Sequence, residues 1–133
     1  MRRLPFCDNT FDVLLNILSP ADYAEFRRVL KPDGILIKVT PGASYLAEIR
    51  AMRGMPAGQE SAAGEYLSSQ MHCIDADRVT ETMNIIPEIW ESFVRMTPLN
   101  QDLMEDERTA LYVHPSKTIT IDLNILTADF RTE

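Results

Sequence analysis

The stretch from Phe11 to Thr40 constrains the fold more than any other part of the chain. It holds two apolar runs joined by one short amphipathic helix and a tight turn. Residues 11–18, FDVLLNIL, are apolar almost throughout, the pattern of a strand covered on both faces, as in a parallel sheet. Ser19-Pro20-Ala21-Asp22 reads as a helix start, with Ser19 as the cap, Pro20 at the first helical position and Asp22 favouring the positive helix end. Tyr23, Phe26, Val29 and Leu30 follow at helical spacing, and Arg27, Arg28 and Lys31 gather near the C-terminal end. Lys31-Pro32-Asp33-Gly34 stops the helix and turns the chain. Residues 35–40, ILIKVT, are rich in β-branched side chains and read as the next strand, ended by Pro41-Gly42. Strand, helix and strand within about thirty residues make a βαβ unit, whose strands are expected to be parallel with a right-handed crossover.

The rest of the chain is expected to add layers to that unit. Residues 43–52 suit a helix, with Leu46, Ile49 and Met52 on one face. The run GMPAGQESAAG, at 54–64, is small and polar, so a mobile loop is expected over about residues 54–65. Residues 78–86, RVTETMNII, read as a strand. Pro87 then opens a helix carrying Ile89, Trp90, Phe93 and Val94, and residues 100–112 read as an acidic helix. KTITIDLNIL, at 117–126, alternates cleanly and is the clearest strand signal in the chain. The whole of 1–133 is read as a single domain.

Charge and cysteine content narrow the function classes. A net charge of −7 opposes bulk attraction to a phosphate backbone. Cys7 and Cys73 stand far apart with no CxxC or Cys/His cluster, so two free reduced thiols and no metal are expected. No apolar run approaches the roughly 20 residues of a membrane span, and no signal-peptide core follows Arg2-Arg3, so a soluble cytoplasmic location without membrane contact is expected.

The segment RLPFCDNTFDVLLNILSPADYAEFRRVLKPDGILIKVTPG resembles the second half of a class I S-adenosylmethionine-dependent methyltransferase. There an LPF-x-D-x-x-FD segment leads into the fourth strand, and a helix ending in LKPGG leads into the fifth. Asp33 stands in place of the usual first glycine. Ile17-Leu18-Ser19-Pro20, Thr40-Pro41-Gly42, Tyr45-Leu46 and Met96-Thr97-Pro98-Leu99 extend the likeness to the 23S rRNA (guanine-N1)-methyltransferase family over nearly the whole chain. The resemblance implies an α/β fold with a partial Rossmann-like sheet, strands equivalent to 4-5-7-6 with flanking helices, lacking the first three strands. The family's zinc module and Gly-rich cofactor turn have no counterpart, since no G-x-G-x-x-G-like segment occurs.

The same resemblance implies S-adenosylmethionine as cofactor and rRNA as partner. Leu4, Pro5 and Phe6 would line the adenine side, and Asn16, Ile17 and Leu18 would border the cofactor. Ser19, Pro20, Thr97 and Pro98 would lie toward the substrate. Each has a structural alternative: Ser19 a helix cap, Pro20 a first-turn proline, Phe6 a core plug, Thr97-Pro98 a helix terminator. No catalytic base is assigned, and Glu81, Glu88 and Glu91 are read as solvated. Three readings compete: a C-terminal half without independent activity, a half-enzyme completed by a separate N-terminal chain, and a non-enzymatic oligomeric remnant or binding module. The isolated chain is expected to bind S-adenosylmethionine and rRNA weakly. The strand from Phe11 to Leu18 is expected to be an open apolar edge that closes through a homodimer.

Overall fold

The computed structural model describes residues 3–97 and 100–132. The chain leaves β1 (Phe11–Ile17) through a turn into α1 (Tyr23–Val29) and returns as β2 (Leu30–Pro41). Next come α2 (Ala47–Met52), α3 (Ala63–Gln70), β3 (His72–Asn84), α4 (Pro87–Met96), α5 (Glu105–Val113) and β4 (Thr118–Asp129). Four strands form one sheet in the order β1-β2-β4-β3, which is the 4-5-7-6 order that the resemblance implies. β1 and β2 are parallel, with Leu14 opposite Leu36 and Asn16 opposite Lys38, while β4 runs antiparallel to β2. β1 therefore stands at one end of the strand order, with a single neighbour.

Several local expectations are corrected. Ser19 is not the helix cap and Pro20 is not in the first turn. α1 starts at Tyr23 and is capped by Asp22, whose Oδ1 accepts from the Glu25 N–H at 3.1 Å. The reason lies in the turn before it. Leu18 adopts a positive φ of 49°, and its N–H still donates to the Val39 carbonyl at 3.0 Å. The chain thus stays tied to β2 beyond the end of β1, and Ser19 and Pro20 belong to that turn. β2 begins at Leu30; Lys31 to Gly34 fall in the register shift that takes the pairing from Phe11–Leu30 to Val13–Ile35. α2 starts later than expected, at Ala47, after a left-handed Leu46 at φ 54°. The stretch expected to be a loop up to residue 65 is already helical at Ala63. β3 starts at His72, six residues ahead of the expected strand.

The chain divides into two compact units. The first comprises Met1–Ala43, Gln59–Val79 and Asp122–Glu133. Its core joins Tyr23 and Phe26 of α1, Leu30 and Leu36 of β2, and Leu67, Met71 and Ala128. These are the apolar positions of the βαβ pattern plus one face of α3 and the end of β4. The second unit comprises Ser44–Gly58 and Thr80–Ile121. Its core joins Leu46, Ile49, Trp90, Val94, Leu111 and Ile119, and the buried Trp90 Nε1–H donates to the Leu111 carbonyl at 2.8 Å.

Candidate functional site

The site is built where β1 ends, from the segment before that strand and the turn after it. The preceding segment has no regular structure of its own, and α1 holds it in place. The Arg28 guanidinium uses all five of its N–H donors there. They reach both carboxylate oxygens of Glu25 (2.7 and 2.9 Å), the carbonyls of Leu4 (3.1 Å) and Phe6 (2.8 Å), and Asp8 Oδ1 (2.9 Å). Glu25 Oε2 also accepts from the Leu4 N–H at 2.8 Å. The hydrogen bonds from Arg28, and then that from Leu4, hold the Glu25 carboxyl down at about 2. Arg28 is raised in turn, by Glu25 first and Asp8 second. Phe6 is half-exposed and packs edge-on against Phe11, ring centroids 4.9 Å apart, so it is a wall residue rather than a core plug.

The turn after β1 rests on two buried polar side chains. Asn16 Nδ2 donates to the Pro20 carbonyl at 3.0 Å, and Asn16 Oδ1 accepts from Lys38 Nζ at 2.5 Å. Lys38 Nζ also donates to the Ser19 carbonyl at 3.2 Å. Neither acceptor is a carboxylate, and burial pulls the Lys38 ammonium below the ordinary lysine range. Lys38 is register partner to Asn16, so the parallel pairing of β1 and β2 sets this contact.

Between these two supports lies a groove of about 380 Å³. Leu4, Phe6, Asn16, Ser19 and Pro20 all line it, together with apolar side chains of β1 and α1. The structure thus brings five of the residues singled out in the sequence to one place. Pro5, Ile17 and Leu18 are exposed beside it and do not line it. Thr97 belongs to the second unit, where its buried hydroxyl donates to the Phe93 carbonyl at 2.7 Å at the end of α4. Pro98 lies outside the described residues. Glu81, Glu88 and Glu91 are exposed.

Sequence reasoning missed Lys38, Glu25 and Arg28. Lys38 had a signal, a lone lysine inside the apolar strand ILIKVT. The Glu25–Arg28 pair is three apart on a helix and reads as an ordinary surface pair.

The groove's lining is mostly apolar, with Asn16 and Ser19 as its polar residues. That suits the flat face of a purine such as the adenine of S-adenosylmethionine. No side chain lining it is charged, so it offers no carboxylate to a ribose and no cation to an amino-acid carboxylate. The residues present therefore fit part of the cofactor.

The fold is that of the class I methyltransferases. A crystal structure of a candidate methyltransferase from Bacillus halodurans C-125 superposes with a TM-score of 0.53 at 16% identity, over 97% of this chain and 68% of that one. In sequence, the relatives that match most of this chain are named as 23S rRNA (guanine-N1)-methyltransferases. The chain is 35% identical over 128 residues to YxjB of Bacillus subtilis (strain 168), named as a candidate 23S rRNA (guanine-N1)-methyltransferase, covering 93% of this chain and 45% of YxjB. It is 28% identical over 107 residues to the 23S rRNA (guanine(748)-N(1))-methyltransferase of Streptomyces fradiae, covering 78% of this chain and 38% of that protein. The chain thus spans less than half the length of these relatives. No family model matches it. No helix among the described residues is long and apolar enough to cross a membrane.

Proposed function

We propose that the chain is the C-terminal half of an rRNA (guanine-N1)-methyltransferase, and that alone it does not transfer methyl groups. The observation that carries this reading is the likeness to YxjB, which extends over 93% of the chain yet matches only 45% of the relative. The groove beside β1 supports it, because ligands of open α/β sheets lie outside the carboxyl ends of the strands. In this reading Leu4 and Phe6 form the adenine wall, and Asn16 borders the cofactor, with Pro5, Ile17 and Leu18 at the rim. Ser19 and Pro20 present the turn that faces the acceptor base, and Asn16 and Lys38 hold that turn in shape. S-adenosylmethionine would supply the methyl group as a sulfonium. What these residues contribute is alignment of donor and acceptor and exclusion of water on one side.

The opposite side of the crevice comes from the missing half. Where that half is absent, a second copy occupies the β1 side and the protein is a homodimer. Val13, Leu15 and Ile17 support this, being exposed along one face of the end strand.

The test is methyl transfer from radiolabelled S-adenosylmethionine to unmodified 23S rRNA. It is run with the chain alone and with a polypeptide covering the part of YxjB that this chain does not match. We expect no product from the chain alone and N1-methylguanine from the mixture. Product from the chain alone would refute its dependence on a second half. A mixture that forms no complex and no product would refute the half-enzyme reading.

A further inference from the structure

The connection from α2 to α3 has no apolar anchor. None of residues 50–66 is buried, and residues 56–59 make no hydrogen bond among the described residues. One side chain ties this segment to the sheet. Glu60, half-exposed, accepts from the Ala43 N–H at 3.3 Å and from Asn124 Nδ2 at 3.0 Å, and pairs with Arg78 Nη2 at 3.1 Å. Those three donors are held in place without it. Ala43 follows Gly42, whose N–H donates to the Asp122 carbonyl at 2.8 Å. Asn124 lies in β4 as the register partner of Thr40 in β2. Arg78, in β3, is gripped by the buried Asp122 at 2.9 and 2.8 Å. The receiving groups are therefore fixed by the sheet, while the carboxylate arrives on a segment that buries nothing. An ion pair this exposed is weak and salt-sensitive, and Asp122 has the stronger claim on the guanidinium.

Ser61, the next residue, borders a hollow of about 250 Å³. Thr40, Arg78, Asn124 and Leu126 are among its other walls, and Thr40 is buried. We propose that residues 59–62 form a lid on this hollow and that Glu60 is its latch. While the carboxylate rests on Ala43, Asn124 and Arg78, Ser61 stays at the hollow and Thr40 is shut in. When the carboxylate lets go, no buried side chain holds the segment, so it swings out and opens the hollow to solutes. The lid, the three latch donors and the walls all belong to the first unit. None of them lines the groove beside β1, so the lid does not rest on the methyltransferase reading.

The opening is read as the rate at which iodoacetamide alkylates a thiol introduced by Thr40→Cys, with Cys7→Ser and Cys73→Ala removing the native thiols. Hydrogen exchange at the Ala43 amide, followed by NMR without any cysteine substitution, gives a second measure. Glu60→Ala is expected to raise both rates roughly three- to fivefold, the scale of one exposed ion pair lost, and to leave the thermal midpoint unchanged. Gln59→Ala, beside the latch but making no hydrogen bond, is expected to change neither rate. Molar sodium chloride is expected to raise both rates when Glu60 is present and to leave Glu60→Ala unaffected. Unchanged rates in Glu60→Ala would overturn the proposal. So would an equal rise in Gln59→Ala, which would make the segment loose throughout, or a lowered thermal midpoint in Glu60→Ala, which would make Glu60 a pin of the fold.

Discussion

At the residue scale, two contacts decide more than their size suggests. Asp122 is fully buried in β4 and is held bidentately by Arg78, at 2.9 and 2.8 Å. Its carboxylate occupies the space where any residue larger than glycine at position 42 would place its Cβ, which would lie 2.5 to 2.6 Å from the carboxyl atoms. Gly42→Ala should therefore lower stability by about 1–3 kcal/mol, the usual cost of overpacking, read as a lower urea midpoint. In α3, a Cβ at Gly64 would meet only Leu126 Cδ1 at 3.5 Å, so Gly64→Ala should leave the midpoint equal or higher. The second contact is Glu25 with Arg28. A carboxyl held at about 2 against an ordinary 4.5 contributes stability that is present above about pH 4.5 and lost as pH falls toward 2. The urea midpoint of the wild type should fall across that window, and Glu25→Gln should lack that component. Neither contact could be read from the chain, because Arg28 meets Leu4 and Phe6, and Asp122 meets Gly42, only through the fold. Lys38 was legible in principle: a lysine within ILIKVT has to bury its charge or break the strand.

At the scale of elements, the strands were easier to read than the helix starts. The βαβ unit follows from the apolar runs, since β1 and β2 are paired and α1 turns its apolar side inward. The cap did not follow, because Ser19-Pro20 and Asp22 are both good start signals, and the ties from Asn16, Leu18 and Lys38 decide between them. Asp22→Ala should cost about 1 kcal/mol of stability and Ser19→Ala less than about 0.5 kcal/mol. Chemical denaturation of the two variants checks this, and equal losses would contradict the assigned cap. α3 was missed because AGEYLSSQ buries only Leu67 and has no side-chain cap. β3 was read short because nearly all of it is exposed, so neither face carries an apolar alternation.

At the scale of the whole molecule, the groove and the hollow both lie in the first unit, while Thr97 lies in the second. Leu4, Phe6, Asn16, Ser19 and Pro20 fall together at the groove because the residues on either side of β1 are close in the chain. The supports from α1 and β2 come from farther along it, and only the fold brings them in. β1 leaves Val13, Leu15 and Ile17 open, and each such side chain left in water forgoes roughly 1.5–3 kcal/mol. In the half-enzyme account a second copy and the missing half compete for this strand. Sedimentation should show a dimer at micromolar concentrations, Leu15→Lys should shift it toward monomer, and excess complementary half should dissociate it. A well-folded wild-type monomer at tens of micromolar would remove the dimer from the account. The most direct test of the central claim, that the cofactor crevice is only half built, is calorimetric titration of S-adenosylmethionine into the chain alone and into the chain mixed with the complementary half. The account predicts no micromolar binding by the chain alone and micromolar binding by the mixture; micromolar binding by the chain alone would contradict it.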